Sequence, residues 1–328
     1  MKAVRITEPG GPEVLRLVEV EAPRPARGEV QVRVRAAGLN RADLLQRRGL
    51  YPAPRGGPQD IPGLEFAGEV AELGESVGGV AVGDPVMGLV PGGGYAELVT
   101  VSAAHLLEIP EGLDAVEAGA IPEAFLTAAD ALFTRGGLVT GESVLLHSVG
   151  GGVGSAAVQL ARLAGARPII GTASAPKLEA LAALGLAPDV GIDYRSEAFA
   201  ERTREATGDR GVDVIIDTIG ATYWTDNLRT LAPLGRLVVL GLMGGARTEV
   251  DLGTILRRRL TVVGTVLRSR SIEEKTDLTA SFRERWLSAF TAGDLRAVVD
   301  RTFPLAEAAE AHRFMEENRN LGKLLLLP

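Results

Sequence analysis

The stretch Val144-Leu145-Leu146-His147-Ser148-Val149-Gly150-Gly151-Gly152-Val153-Gly154-Ser155 decides the fold. Val144 to Leu146 reads as a buried strand, the glycines as a tight turn, and Ser155 to Ala164 as the helix that follows. Strand, glycine turn and helix in that order are the context of a dinucleotide-binding βαβ unit. The turn lets backbone approach a pyrophosphate, whose charge meets the unpaired N–H groups at the helix start. Gly154 lets the helix lie close to the sheet. The frame is small-x-x-Gly-x-x-Gly at Ser148, Gly151 and Gly154, not strict GxGxxG, because Ser155 takes the last position when counting begins at Gly150. A glycine cluster alone reads equally as a flexible turn; its flanks decide for the dinucleotide site.

Outward from this unit, buried strands and amphipathic helices alternate from about Pro122, which predicts a doubly wound parallel sheet. Pro168 to Gly171, Val214 to Asp217, Leu237 to Leu240 and Leu260 to Gly264 read as further strands. Ser155 to Ala164 and Lys177 to Leu184 read as helices that stop at Gly165 and Gly185, the usual residue past a helix end. Before about residue 120 the pattern is short strands broken by Gly and Pro, among them Glu29 to Val34, Gly68 to Leu73 and Tyr95 to Thr100, which suggests a small barrel-like β domain. After residue 265 a long helix is expected over Ile272 to Ala292, then a short strand, a helix from about Leu305 to Glu317 and a buried closing strand at Leu324 to Leu327.

The 328 residues, 46% hydrophobic, exceed what one core usually serves, so two domains are expected. Forty-two acidic against 35 basic side chains give a net charge of -7, which argues against a nucleic-acid surface. Zero cysteines remove disulfides, thiolate nucleophiles and thiolate metal sites, and His105, His147 and His312 show no metal-ligand spacing. The uncharged run Ser143 to Ala161 carries His147, Gln159 and three glycines, too polar for a membrane span, and Met1 to Ile6 lacks the apolar core of a secretory signal. A cytoplasmic location without membrane partner is therefore expected.

The second strand of the βαβ unit leads into Gly171-Thr172-Ala173-Ser174-Ala175-Pro176-Lys177, without the acid that would bond a ribose 2'-hydroxyl. A hydroxyl at Ser174 and an ammonium at Lys177 suit an additional 2'-phosphate, which favours NADPH over NADH. Lys177 sits in the first turn of its helix, where a cation is electrostatically disfavoured, and that placement supports a ligand role.

Several segments together resemble the zinc-free quinone oxidoreductase (zeta-crystallin-like) branch of the medium-chain dehydrogenase/reductases, over essentially the whole chain. They are Gly10 to Leu15, Asn40-Arg41-Ala42-Asp43, Gly63 to Val70, Val82 to Val86, the glycine loop and Gly322-Lys323. Pro91 to Tyr95, Gly241 to Gly245 and Leu267 to Arg270 look most like the tumour-suppressor-induced quinone oxidoreductase subgroup. The resemblance implies an α/β protein with a GroES-like β-barrel catalytic domain at 1–124 and 265–328, and a Rossmann doubly wound parallel-sheet NADPH domain at 125–264. It also implies a homodimer, for which the strand Leu260 to Gly264 is a plausible partner edge.

Where zinc-dependent relatives carry Cys and His, this chain has Asn40 and Leu64, so the resemblance implies no metal and no alcohol dehydrogenation. Position by position it implies Gly151, Gly152, Val153 and Gly154 at the pyrophosphate, with Ser174, Lys177 and Tyr194 around the 2'-phosphate. Asn40, Thr127, Gly241, Leu242, Met243, Val266, Leu267, Arg268 and Asn318 fall near the nicotinamide, and Tyr51 lines the acceptor pocket, so Tyr51 and Asn40 are the expected catalytic residues. Each has a plainer reading: Tyr194 as helix packing, Met243 as core, Asn40 as the N-cap of Arg41 to Arg47, Asp43 and Asp217 as structural carboxylates.

The expected activity is NADPH-dependent reduction of quinones, the acceptor being a small molecule held in the cleft between the domains. Reduction of an enal, enone or enoyl thioester is the alternative, and an idle NADPH-binding protein the reading from another class.

Overall fold

The valines alternating from residue 30 lie on the central strand of the first of two units. The structure, a computed structural model, describes residues 1–54 and 56–328. One unit comprises Met1–Leu126 and Leu267–Pro328, the other Thr127–Val266.

In the first unit, strands β1 (Lys2–Ile6) and β2 (Leu15–Glu19) pair antiparallel. β3 (Glu29–Gly38), β4 (Glu65–Leu73), β5 (Pro85–Leu89), β6 (Leu98–Ser102) and β7 (Leu106–Glu108) follow. Helices α1 (Arg41–Arg47) and α2 (Ala115–Ala118) complete the N-terminal part, and α3 (Pro122–Ala129) carries the chain into the second unit. On β3, Val30, Val32 and Val34 are buried while Arg33 and Arg35 face out, the alternation that buries one face of a pleated strand. These valines share a core with Phe66, Val70, Val86, Val99 and Val101.

The second unit alternates strictly: β8 (Val144–His147), α4 (Gly152–Leu163), β9 (Ile169–Ala173), α5 (Ala175–Ala183), β10 (Val190–Asp193), α6 (Phe199–Ala206), β11 (Val212–Asp217), α7 (Trp224–Thr230), β12 (Leu231–Val239), α8 (Leu252–Arg258) and β13 (Thr261–Gly264). Among the described residues these strands form one parallel sheet in the order β10-β9-β8-β11-β12-β13. Counted from β8 as the first strand this is 3-2-1-4-5-6, and the order reverses between β8 and β11, where such sheets bind ligands beyond their carboxyl ends. Leu145, Ile170, Ile192, Ile215 and Leu237 line its core.

The chain then returns to the first unit with α9 (Ile272–Thr291), β14 (Val299–Pro304), α10 (Ala308–Glu316) and β15 (Lys323–Leu327). Ser271 starts α9 with a capping box, its Oγ accepting from Glu274 N–H and Glu274 accepting from Ser271 N–H. β15 pairs antiparallel with β3 and parallel with β14, which places the terminal leucines at the heart of a sheet of order β14-β15-β3-β4-β5-β7, with β6 added on β3.

Two expectations, and the plainer reading of one residue, need correction. The strand expected from Tyr95 begins at Leu98, because Tyr95 turns its side chain into a buried polar cluster and Ala96 makes only an isolated bridge to Ala3. The first helix of the second unit begins at Gly152, three residues before Ser155, because the loop glycines themselves take helical backbone. Met243 is not core: it is 49% exposed beside Leu242 at 55%. Among the described residues no helix is long and apolar enough to cross a membrane.

Candidate active site

In the second unit, β8 runs into Ser148, whose positive φ of 60° turns the chain, and Gly151 N–H closes the turn on Ser148 C=O at 2.9 Å. No side chain caps α4, so the N–H groups of Gly152, Val153 and Gly154 open the helix without intrahelical acceptors. A Cβ on Gly154 would lie 2.2 Å from Ser148 O and 2.6 Å from Val149 Cα, so only glycine lets helix and turn approach this closely. Gly151 differs: the nearest atom to a Cβ there is Ser148 O at 3.4 Å, and nothing within the protein demands a glycine.

Ser174 follows β9 as the N-cap residue of α5, buried, with its hydroxyl making no cap bond. Lys177 lies one turn on, and its stem covers Gly150, where a Cβ would come within 2.7 Å of Lys177 Cδ. Tyr194 leaves β10 half-exposed, its N–H on Ala173 C=O at 3.3 Å and the Arg195 guanidinium 5.9 Å from its ring centroid. The structure therefore brings Ser174, Lys177 and Tyr194 to the carboxyl ends of β9 and β10, beside the glycine loop. Arg195, a second cation there, is a residue the sequence did not single out.

Gly241, Leu242 and Met243 follow β12 and run beside the end of β11, with Gly241 N–H on Asp217 C=O and Met243 N–H on Thr218 C=O at 3.3 Å. Leu242, Met243 and Val266 are exposed. Asp217 accepts from Ile219 N–H, Gly220 N–H and Asn227 Nδ2, a structural carboxylate at a strand end. Thr127 holds a buried hydroxyl without hydrogen-bond partner among the described residues.

In the first unit, Asn40 stands at the N-cap of α1, but its side chain faces a buried ion pair. Its Nδ2 donates to Glu65 Oε1 at 2.9 Å, and its Oδ1 accepts from Lys323 Nζ at 2.7 Å. Lys323 also donates to Leu39 C=O and to Glu65 Oε1, while Glu65 Oε2 accepts from Glu123 N–H at 2.8 Å. The sequence quoted Glu65 and Lys323 within its motifs without giving either a role. A lone lysine ahead of four leucines was the available signal, since an ammonium heading a buried strand requires partners.

Below Asn40, Asp43 accepts from Asn40 N–H, Gly63 N–H and Tyr95 Oη. Arg47 Nη1 lies 3.2 Å from His312 Nδ1. A guanidinium only donates, so Nδ1 accepts and Nε2–H gives to Tyr95 Oη at 3.1 Å. Burial raises Asp43 to about 6, and burial with the neighbouring Arg47 charge holds His312 down at about 3. This chain ties α1 to α10 and is structural, as expected for Asp43.

Tyr51 is half-buried under Arg268, whose guanidinium stands 5.3 Å from its ring centroid. Arg268 spends its donors on Pro91 C=O, Tyr51 C=O and Gln46 Oε1, so it fastens the loop that carries Tyr51. Its neighbour Leu267 is buried, and Lys275 Nζ donates to Arg268 C=O at 2.8 Å. Asn318, at positive φ past α10, accepts from Arg41 at 2.8 Å.

The N-terminal residues 26–111 match the family described as "Alcohol dehydrogenase GroES-like domain", and residues 152–282 match "Zinc-binding dehydrogenase". Over 328 residues the chain is 36% identical to a quinone oxidoreductase of Pseudomonas aeruginosa, covering all of this chain and 99% of that one. The chain belongs to the medium-chain dehydrogenase/reductase family. Among solved structures this family member is similar to the quinone oxidoreductase of Escherichia coli complexed with NADPH, with a TM-score of 0.90, 31% identity and full coverage of both chains. It is also similar to the CurK enoyl reductase, with a TM-score of 0.88, 30% identity and coverage of 99% and 98%.

The zinc of the matched family's description does not fit the residues present. Asn40 is already bonded to a carboxylate and an ammonium, Leu64 offers only hydrocarbon, and the cation beside Glu65 is Lys323. No group of three or more His, Cys, Asp or Glu among the described residues could hold a metal ion.

Proposed function

We propose that this oxidoreductase is an NADPH-dependent, zinc-independent reductase of quinones. The observation that carries the cofactor half is the pairing of Ser174 and Lys177 at the end of β9, next to a glycine loop in which Gly151 answers no need of the protein itself. The orphaned hydroxyl of Thr127 likewise suits an external partner. Full-length similarity to quinone oxidoreductases supports the acceptor.

Gly151 to Gly154 would hold the pyrophosphate on the first turn of α4, and Ser174, Lys177 and Tyr194 the 2'-phosphate. Asn40, Thr127, Gly241 to Met243, Val266 to Arg268 and Asn318 are proposed for the nicotinamide end. When bound there, the nicotinamide supplies the hydride. Tyr51, fixed by Arg268, would lie against the acceptor, and Asn40, fixed by Glu65 and Lys323, would present a rigid amide. Burial, then the Glu123 charge, raise the Tyr51 phenol, so it stays protonated at neutral pH.

NADPH oxidation with a panel of quinones and enones, repeated after exhaustive chelation, tests the reading; no turnover of any acceptor would overturn it. NADPH is expected to bind at least about tenfold more tightly than NADH, about 1.4 kcal/mol, and Lys177→Ala to erase most of that preference. Equal affinities in the intact protein would contradict the 2'-phosphate site. Tyr51→Ala should lower kcat/KM about tenfold while changing NADPH affinity less, the mark of lost positioning; an unchanged kcat/KM would remove Tyr51 from the acceptor site.

β13 is the edge of its sheet, with Val262 partly exposed, and pairing of two such edges in a homodimer would cover its free backbone groups. A monomer mass by light scattering would refute that arrangement.

A further inference from the structure

Ser148, which turns the chain from β8 into the glycine loop, holds a φ of 60°, a conformation that strains any residue carrying a Cβ. Such strain persists only where the surroundings fix it, and two sets of hydrogen bonds converge on Ser148. In the shorter, the Thr218 hydroxyl bonds Ser148 Oγ at 3.0 Å. The longer begins at Ser148 N–H, which donates to Thr172 Oγ1 at 3.4 Å. It continues through His147, with Nδ1 3.0 Å from the Thr172 hydroxyl and Nε2 2.8 Å from Asn227 Oδ1, and ends where Asn227 Nδ2 donates to Asp217 Oδ2 at 3.1 Å. Thr172, His147, Asn227 and Asp217 are all buried. Thr172 on β9, His147 on β8 and Asp217 on β11 are thereby tied together at the carboxyl ends of three neighbouring strands, across the point where the strand order reverses.

The chemistry of its members gives this chain one direction. Both Asp217 oxygens already accept from backbone, Oδ1 from Ile219 N–H and both from Gly220 N–H, so Asn227 turns Nδ2 to Asp217 and Oδ1 to His147. His147 Nε2 therefore carries the hydrogen. Burial pushes the imidazole below its usual range, against the opposing pull of the Asp217 charge and the Asn227 bond, so at neutral pH the ring is uncharged and Nδ1 accepts. Thr172 O–H then donates to Nδ1, which leaves its oxygen to receive Ser148 N–H. Phe199 and Tyr223 hold the imidazole plane edge to face, at centroid distances of 4.9 and 4.8 Å.

We propose that His147 is a positioning residue of the dinucleotide site: through Nδ1 it directs the Thr172 hydroxyl that holds the Ser148 turn, and so aims the N–H groups opening α4 at the pyrophosphate. The inference rests on the cofactor reading above. At 1% exposure His147 acts through the loop and not by touching the cofactor. The loop transmits its effect directly, because Gly151 N–H bonds Ser148 C=O and Ser155 N–H bonds Gly151 C=O, both at 2.9 Å. A rotation at Ser148 thus turns the first residues of the helix.

Two substitutions cut the chain at different links. His147→Phe keeps the ring against Phe199 and Tyr223 and removes both nitrogens, and Thr172→Val removes the hydroxyl at nearly the same shape. Each should weaken NADPH binding about tenfold, the scale of one buried polar group left unpaired. Because both cut one chain, the double variant should lose about as much as either single variant, rather than the roughly hundredfold loss of two independent effects. Thr172→Ser, which keeps the hydroxyl, should restore affinity. Adenosine 2'-monophosphate has the 2'-phosphate without the pyrophosphate, so its binding should change less than about twofold in every variant, whereas a general loss of structure would weaken both ligands alike. Nitrogen-15 spectra of the cofactor-free protein supply a readout independent of binding, with His147 Nε2 expected protonated and Nδ1 bare. A hydrogen on Nδ1, unchanged NADPH affinity in both single variants, additive losses in the double variant, or equal weakening of both ligands overturns the positioning role. Failure of the wild type to bind any dinucleotide, with the tautomer as expected, overturns the cofactor reading, and the positioning role with it.

Discussion

Lys323→Met is expected to cost the first unit about 3–5 kcal/mol of stability, the penalty for leaving one member of a buried ion pair alone. Lys323 is 4% exposed and Glu65 fully buried. The ammonium gives its three hydrogens to Leu39 C=O, Asn40 Oδ1 and Glu65 Oε1, the full capacity of the group. Methionine matches the stem but abandons all three acceptors, and the Glu65 carboxylate retains only Asn40 Nδ2 and Glu123 N–H. Adding Glu65→Gln should recover most of the loss, because the uncompensated charge rather than the missing bonds dominates. Denaturant unfolding of the two single variants and the double variant measures the coupling. A cost below about 1 kcal/mol for Lys323→Met would mean that the pair is solvated and worth no more than a surface salt bridge.

Gly154→Ala should destabilise the second unit by about 3 kcal/mol, the upper part of the range for overpacking. The added Cβ meets backbone, Ser148 O and Val149 Cα, and backbone in a strand-to-helix turn has no rotamer to escape into. α4 must back away from β8, which also withdraws the N–H groups of Gly152 and Val153 from the position proposed for the phosphate. Gly151→Ala is the control, since among the described residues beyond its chain neighbours the nearest atom to its Cβ is Ser148 O at 3.4 Å. It should fold with near-normal stability yet lose about tenfold or more in NADPH affinity, because the space it fills is the one proposed for the pyrophosphate. Thermal unfolding paired with cofactor titration separates the two effects. Equal stability losses at both positions would mean that Gly151 is also a packing glycine and would weaken the phosphate assignment.

Much of the second unit was legible because its signals are local. The buried strands are short apolar runs, α4 and α5 end at Gly165 and Gly185 with φ of 78° and 69°, and the loop lies wholly within eleven residues of one strand-turn-helix. The absence of an acid after β9 could be read for the same reason. Boundaries fared less well where a strand is extended by its neighbours: β12 begins at Leu231, six residues before the apolar run at Leu237, with Leu231 paired to Val212 of β11.

The candidate site of the first unit was only half legible. The sequence by itself determined the βαβ succession, the glycine loop, the presence of Ser174 and Lys177 where an acid could stand, and the valine face of β3, because each depends on residues a few positions apart whose spacing is set by backbone geometry. Only the tertiary structure decided that Lys323 meets Glu65 across 258 positions and that His312 meets Arg47 across 265. Burial and charge pairing are sums over everything that surrounds a group once the chain has closed on itself, and no periodicity in the sequence records which distant residue will be there.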